Sequence, residues 1–297
     1  MKKKGPQFLI SFIGVFIVIL IILYFTIEPS IYWRSLSGEI VMNNSIDNTH
    51  TSGVTLYSPQ KGKFRLLFKD ACYNAVFNSD KSKVFAIEAT YLNKENQYAL
   101  FEYSFKENIL TPIIECKGTN TSNYGTVKDV PNSESISYIW QDELYMYNLK
   151  TKAEKMLTKI DNNENYSWSN DGSYLLFNLE DSSKLTKYTL DNKKVETLSE
   201  GKSPELSHNN KYMAYKSDTE KLIIRDMVTG KEWRYSPGVF IAYYRFSPDD
   251  KYVAIAQNEK SSLMSTPAKR IIIWDFKNDK KTWLIKELYY GSEFDWK

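Results

Sequence analysis

The sequence predicts an all-β chain of six four-stranded sheets, and three features of its 297 residues point there. A polar turn between two apolar strands occurs five times: Phe77-Asn78-Ser79-Asp80, Val130-Pro131-Asn132-Ser133, Trp168-Ser169-Asn170-Asp171-Gly172, Leu206-Ser207-His208-Asn209-Asn210 and Phe246-Ser247-Pro248-Asp249-Asp250. With Asn78, Pro131, Ser169, Ser207 and Ser247 equivalent, the intervals are 53, 38, 38 and 40 residues. A second signature recurs in phase: Tyr147-Asn148-Leu149-Lys150-Thr151-Lys152, Tyr188-Thr189-Leu190-Asp191-Asn192-Lys193, Arg225-Asp226-Met227-Val228-Thr229-Gly230-Lys231 and Trp274-Asp275-Phe276-Lys277-Asn278-Asp279-Lys280. Finally, Ser292–Lys297 reads as a strand that stops where its turn should begin, while unmatched strands lie near the N-terminus. A strand-only repeat of this period, with complementary ends, is a six-bladed β-propeller closed by a blade shared between the termini.

Residues 1–7 carry Lys2, Lys3 and Lys4, and residues 8–27 run without a charge. At ~1.5 Å per residue the apolar run makes roughly 30 Å of helix, enough to cross the hydrocarbon layer. A cleaved signal peptide is the competing reading, but such a peptide has an apolar core of about 7–15 residues and small residues at its cleavage point. The exit Phe25-Thr26-Ile27-Glu28-Pro29 has no such site, so an uncleaved signal-anchor is expected, with its lysines cytoplasmic and residues 38–297 extracytoplasmic. Residues 28–37 form the linker.

The shared blade takes Glu39–Asn43, Val54–Tyr57 and Phe64–Phe68 as its second to fourth strands, and Pro59-Gln60-Lys61-Gly62 as a turn. The other blades are expected at 71–116, 122–160, 163–200, 203–236 and 239–290. In the last, Ile241–Phe246, Tyr252–Gln257, Arg270–Asp275 and Thr282–Lys286 supply the four strands, named a to d from the channel outward. Five or seven blades are the alternatives, because the 53-residue interval and the 50 residues from Ser247 to Lys297 have room for irregular strands.

The 22 tyrosines and 15 phenylalanines suit a large β core, since aromatic and β-branched residues fit pleated, half-buried surfaces. The lysines before the apolar run account for the whole formal charge of +3, so the domain beyond it is neutral and has no electrostatic reason to bind nucleic acid. Cys72 and Cys116 are the only cysteines. A bridge would need Cα atoms within about 7 Å, and opposite edges of a four-stranded blade lie farther apart, which favours two thiols over a disulfide.

The runs Trp168-Ser169-Asn170-Asp171-Gly172-Ser173-Tyr174-Leu175-Leu176-Phe177 and Phe246-Ser247-Pro248-Asp249-Asp250-Lys251-Tyr252-Val253-Ala254-Ile255 resemble the WD40-like repeat of TolB-type six-bladed propellers. The resemblance covers some 220 residues and implies the fold, with extracytoplasmic protein binding or a substrate-gating role. The same propeller type precedes the catalytic domain of prolyl-oligopeptidase-like enzymes. Here an anchor stands in place of TolB's N-terminal domain and no hydrolase domain is expected, so neither the TolB partnership nor peptidase activity transfers to particular residues.

On such a scaffold the a-to-b and c-to-d turns lie on one face and look structural. The longer loops Asn44–Gly53, Tyr91–Asn96, Lys117–Asn123 and Asn258–Lys269 lie on the other, where function usually sits. They belong to adjacent blades and could form one crescent or be tolerated surface length. The candidate binding face is Asn44, His50, Tyr91, Asn96, Asn123, Tyr124, Asn165, Tyr243, Met264 and Lys269. The strand-a residues Asn74, Tyr124, Thr126, Asn165, Ser167, Ser203, Glu205, Tyr243, Arg245 and Asp295 predict a mostly neutral channel.

With two histidines, His50 and His208, a Ser-His-Asp set or histidine metal site has little material. Asp161-Asn162-Asn163-Glu164-Asn165 opens like a calcium loop but has Tyr166 and Gly172 where glycine and glutamate are needed. Asp249-Asp250 and Trp274-Asp275 read as turn formers. The expected function is a cofactor-free, membrane-anchored module that binds a protein or peptide through its membrane-distal loop face. The alternative is an envelope-glycan hydrolase or lyase using channel carboxylates.

Overall fold

The structure, a computed structural model, describes residues 35–45, 52–69, 72–88, 98–115, 124–160, 165–179, 182–258, 269–288 and 293–297. The predicted anchor at 8–27 lies outside them, and among the described residues no helix is long and apolar enough to cross a membrane.

The described residues form strands arranged as six four-stranded antiparallel sheets. The first sheet uses β1 (Ile40–Ser45), β2 (Ser52–Ser58) and β3 (Lys63–Phe68). The second holds β4 (Cys72–Phe77), β5 (Lys83–Glu88), β6 (Tyr98–Ser104) and β7 (Ile109–Glu115), and the third β8 (Tyr124–Val130), β9 (Ser135–Trp140), β10 (Glu143–Asn148) and β11 (Glu154–Lys159). The fourth holds β12 (Ser167–Trp168), β13 (Tyr174–Asn178), β14 (Lys184–Thr189) and β15 (Lys194–Glu200). The fifth comprises β16 (Lys202–Leu206), β17 (Tyr212–Lys216), β18 (Leu222–Asp226) and β19 (Glu232–Tyr235). The sixth comprises β20 (Ile241–Phe246), β21 (Val253–Asn258), β22 (Lys269–Asp275) and β23 (Lys280–Leu288), after which β24 (Phe294–Trp296) returns to the first sheet in the order β24-β1-β2-β3. Six blades with a shared first one are what the repeat predicted.

Closure is antiparallel pairing of β24 on β1, with Ile40 opposite Trp296 and Met42 opposite Phe294. Two further backbone bonds extend it: Glu39 N–H to the Lys297 carbonyl at 2.7 Å and Lys297 N–H to the Glu39 carbonyl at 3.1 Å. The Trp296 ring is fully buried and its Nε1–H donates to the Ser37 carbonyl at 2.9 Å. Gly38 makes the approach possible: its φ is +85°, and a Cβ there would stand 2.5 Å from the Lys297 oxygen.

The core sits in the seams between blades. Ile40, Met42, Phe294 and Trp296 of the first blade pack on Ala254, Ala256, Ile271 and Ile273 of the sixth. Each of the other seams has its own cluster, such as Tyr212, Ile224 and Tyr235 against Phe246, Trp274 and Phe276. Aromatic residues are plentiful because wedge-shaped gaps between twisted sheets need large, flat side chains.

Both turn signatures resolve into backbone chemistry. In the a-to-b turn the leading serine bridges it: Ser169 Oγ donates to Asp171 at 2.6 Å and accepts the Tyr174 N–H at 3.1 Å, and Ser207 and Ser247 repeat this with Asn209 and Asp249. The fourth turn position is left-handed, occupied by Lys81, Gly172, Asn210 and Asp250 at φ between 55° and 71°. Asn and Asp tolerate that conformation and Gly adopts it freely, which is why they recur there. Every c-to-d corner likewise ends on a left-handed residue: Gly62, Asn108, Lys152, Lys193, Gly230 and Asp279. The Trp274-Asp275 pair is structural as read, with Trp274 buried against Tyr235 and Asp275 accepting the Asn278 N–H at 3.1 Å. Cys72 is buried at the start of β4, and Cys116 lies outside the described residues.

If β24 is the clasp, Trp296→Ala lowers the unfolding free energy by about 3–5 kcal/mol, the range for emptying a buried aromatic site. Urea denaturation followed by circular dichroism checks it; an unchanged midpoint would show that the ring is not held by this strand.

Candidate functional site

The first strand of each blade lines the channel, and alternation along it presents every second residue inward. Two rings result. Nearer the turn face are Asp295, Val76, Lys128, Ser167, Glu205 and Arg245; nearer the loop face are Glu293, Asn74, Thr126, Asn165, Ser203 and Tyr243.

The expectation of a mostly neutral channel is corrected by two side chains absent from the predicted list, Lys128 and Glu293. Lys128 is misplaced if Pro131 is taken as the turn start. Phe77, Trp168, Leu206 and Phe246 pair with Val84, Leu175, Met213 and Val253, seven residues on, whereas Val130 pairs with Ser135 and it is Asp129 that meets Ile136. The third turn is as long as the others but begins one residue earlier, at Val130, which makes Lys128 the equivalent of Val76, Ser167, Glu205 and Arg245 and brings it into the ring. The alternation Tyr124, Thr126, Lys128 carried that signal. Glu293 lies just before β24, within the run Ser292–Lys297 read as a first strand and two residues ahead of Asp295, so the same alternation that placed Asp295 inward also carries Glu293.

Glu205 is the centre of the inner ring. Its Oε2 accepts from Lys128 Nζ at 3.0 Å and from Asn165 Nδ2 at 3.0 Å, and lies 3.2 Å from Arg245 Nη1. Arg245 also donates to the Tyr244 carbonyl at 2.9 Å. Glu293 accepts from Asn74 Nδ2 at 2.5 Å and from the Tyr243 hydroxyl. Asp295 accepts the Phe77 N–H at 3.0 Å, and Asp129 accepts from the Ser79 hydroxyl. Glu205 thus joins the third to sixth blades, and Glu293 joins the first to the second and sixth. Buried charges persist in proteins only when paired in this way.

The titration behaviour follows from burial. Desolvation, aided by the Arg245 charge and opposed by Glu205, pulls Lys128 down to about 8. Burial also pushes the Glu293 and Asp129 carboxyls above their usual range, against the hydrogen bonds that favour their ionised forms. For Arg245 the surrounding carboxylates, Glu205 foremost, outweigh desolvation and hold the guanidinium charged.

At the turn face the channel widens into a polar cavity of about 270 Å³. Lys81, Lys128 and Lys297 line it together with Asp129, Glu205 and Asp295. The volume lies just below the ~300 Å³ at which ligand pockets usually begin.

Of the predicted binding face, Asn165 and Tyr243 stand in the channel, bonded to Glu205 and Glu293. Asn44, Tyr124 and Lys269 lie on β1, β8 and β22 at the loop-face ends of those strands. His50, Tyr91, Asn96, Asn123 and Met264 lie outside the described residues, as does the Asp161–Glu164 run. Among the described residues no group of three or more His, Cys, Asp or Glu is placed to hold a metal ion. His208 belongs to a turn, its N–H donating to Asp250 at 2.8 Å.

No protein-family model matches the chain, and no curated protein matches it in sequence. Solved structures do. TolB from Acinetobacter baumannii superposes with a TM-score of 0.67 at 16% identity, over 88% of this chain and 67% of that one. A chain of a nidogen/laminin complex gives 0.65 at 8% identity, over 87% and 98%. A protein assigned as a 6-phosphogluconolactonase from Bacteroides uniformis gives 0.54 at 13% identity, over 86% and 83%. The chain is thus a TolB-like six-bladed propeller in fold. Those three proteins are of different kinds, so the fold leaves the function to the site.

The Lys128 environment makes a signed prediction. Its folded pKa of about 8 lies below the ordinary lysine value of 10.5, so between these the unfolded chain binds more protons and stability rises with pH. Urea midpoints measured at pH 7.5, 8.5 and 9.5 should rise in the wild type relative to Lys128→Met, by at most about 1.4 kcal/mol per pH unit. Parallel profiles would show that Lys128 is not desolvated as described.

Proposed function

We propose that this chain is a membrane-anchored extracytoplasmic propeller that binds a protein or peptide through its membrane-distal loop face. The observation that carries binding over catalysis is that the channel carboxylates are each already paired within the protein. Glu205 is shared by two cations and an amide, Glu293 by a hydroxyl and an amide, Asp295 by a backbone N–H and Asp129 by a serine. A general acid or base must have a face free for the reacting proton.

The direction of the face is supported by where the chain enters. Leu36 is buried and Ser37 accepts from Trp296 at the turn-face end of β1, so residues arriving from an anchor would approach on that side. The loop face then points away from the bilayer. One structural neighbour is a chain of a nidogen/laminin complex, a propeller crystallised with a protein partner, which also supports a binding role.

The second reading is glycan hydrolysis or lysis, favoured by the raised Glu293 and Asp129 carboxyls, since perturbed carboxylates mark many catalytic clefts.

Photo-crosslinkers placed at Asn44, Tyr124 and Lys269 on the loop side, and at Lys81 and Asn170 on the turn side, test the proposal in native membranes with identification by mass spectrometry. The loop-side positions are expected to capture a common protein, and deletion of residues 261–265 to abolish that capture while the thermal melt is kept. Capture from the turn side alone, or turnover of envelope polysaccharide by the purified chain that Glu293→Gln eliminates, would overturn it. Topology is checked separately: protease added to intact cells should digest the C-terminal part, and full protection would reverse the assigned orientation.

A further inference from the structure

The seam between the fifth and sixth blades contains a larger cavity, of about 390 Å³. Tyr235, Val239, Ile272 and Trp283 give it an apolar wall, and Gln257 and Asn258 close one end. β19 and β21 finish there and β22 begins there, so the cavity lies at the loop-face end of the seam. Its size and its mixture of aromatic wall and few polar groups are those of a small-ligand pocket.

Three details specify the occupant. Trp283 is 38% exposed, so aromatic surface is left uncovered where the seams elsewhere bury it. Asn258 Oδ1 is buried and has no hydrogen-bond partner among the described residues, whereas the neighbouring Gln257 Oε1 already accepts from the Tyr235 hydroxyl at 2.6 Å. Such an orphan acceptor calls for a donor from outside. No carboxylate lines the cavity, which argues against a cationic occupant; the Arg270 guanidinium lies over the Trp283 ring at 5.1 Å, and Lys281 pairs with Asp279 at 2.5 Å. The apolar wall and the orphan acceptor together call for a largely apolar group equipped with a donor.

We propose that the pocket receives a tyrosine or tryptophan side chain of a peptide, packed on Trp283, with its O–H or N–H donated to Asn258 Oδ1. One unsatisfied acceptor matches the one donor of these side chains. A sugar ring would bring several hydroxyls into a mostly apolar cavity, each needing its own partner. The proposal rests on the reading that the loop face is the working side, and specifies what that side recognises.

The full chain in lipid nanodiscs, titrated calorimetrically with the N-acetyl amides of tryptophan, tyrosine, phenylalanine and leucine, tests it. The tryptophan and tyrosine amides should bind about tenfold more tightly than the phenylalanine amide, the difference made by one buried hydrogen bond. Asn258→Leu should erase that preference, and Trp283→Ala should weaken all three aromatic amides. Should either variant fail to fold, Val239→Trp, which fills the cavity from the half-buried connection after β19, must abolish binding. Equal affinities for the four amides, a preference that survives Asn258→Leu, absence of saturable binding, or tighter binding of an envelope oligosaccharide would each overturn the proposal. If loop-side crosslinks still capture a protein while no amide binds, the pocket assignment falls alone; if the amides bind as stated but loop-side capture is absent, it is the broader reading that falls.

Discussion

Everything in this molecule depends on the three-residue strand β24 lying beside β1. A ring of blades has no hydrophobic centre; each sheet buries its faces only against its two neighbours, so an open ring would leave two blade faces and one inner strand position exposed. The pairing of Phe294–Trp296 with Ile40–Met42 converts six local packing problems into one cooperative structure. The contact is small in backbone terms, and its strength comes from what the strand carries: Phe294 and Trp296 are both buried in the seam with the sixth blade. A strand of three residues can hold the ring because its alternate side chains are the core of that seam.

A second set of bonds keeps the blades in phase. The a-to-b turns contact one another around the channel mouth: Asn132 donates to the Asn170 carbonyl at 3.2 Å, Asn210 accepts the Asn170 N–H at 2.9 Å, and Asp250 accepts the His208 and Asn209 N–H groups at 2.8 and 2.9 Å. The left-handed position supplies both of the last two acceptors, so the conformation that tightens a hairpin also aims its side chain at the preceding blade. Gly172 has no side chain to offer and instead allows contact, since a Cβ there would meet the Pro131 carbonyl at 2.5 Å. Below these turns, Phe77, Val127 and Leu206 donate their N–H groups to Asp295, Asn74 and Ser167 of the blade before. Polar groups thus set the angle between blades, and apolar seams supply the cohesion.

This division explains what could be read from the residues alone. The turn signatures were legible because left-handed backbone restricts the choice to Gly, Asn, Asp and a few tolerated residues, so the same letters recur wherever the geometry does. The shared blade was legible because Ser292–Lys297 carries the alternation of a first strand without the turn that follows one. Lys128 was not, because the third turn begins at Val130, an apolar residue where the other turns have Asn or Ser, and aligning it on Pro131 shifts the strand by one residue, which exchanges inward and outward side chains. The seam pocket was invisible for a different reason. Tyr235, Asn258 and Trp283 belong to three strands of two blades and become neighbours only when the fifth and sixth blades pack together.

The channel and the seam pocket differ in how their buried polar groups are satisfied. In the channel, charge is balanced internally: Glu205 answers Lys128 and Arg245, and Glu293 is held by Asn74 and Tyr243. A ligand that displaced any of these would have to repay the desolvation of the partner it left behind, a cost that buried ion pairs make large. At the seam pocket the balance runs the other way, since Asn258 Oδ1 already bears the cost of burial and an incoming donor recovers it. The energetic argument favours recognition where the structure has left a polar debt and exposed aromatic surface together, and the seam between the fifth and sixth blades is where the described residues place both.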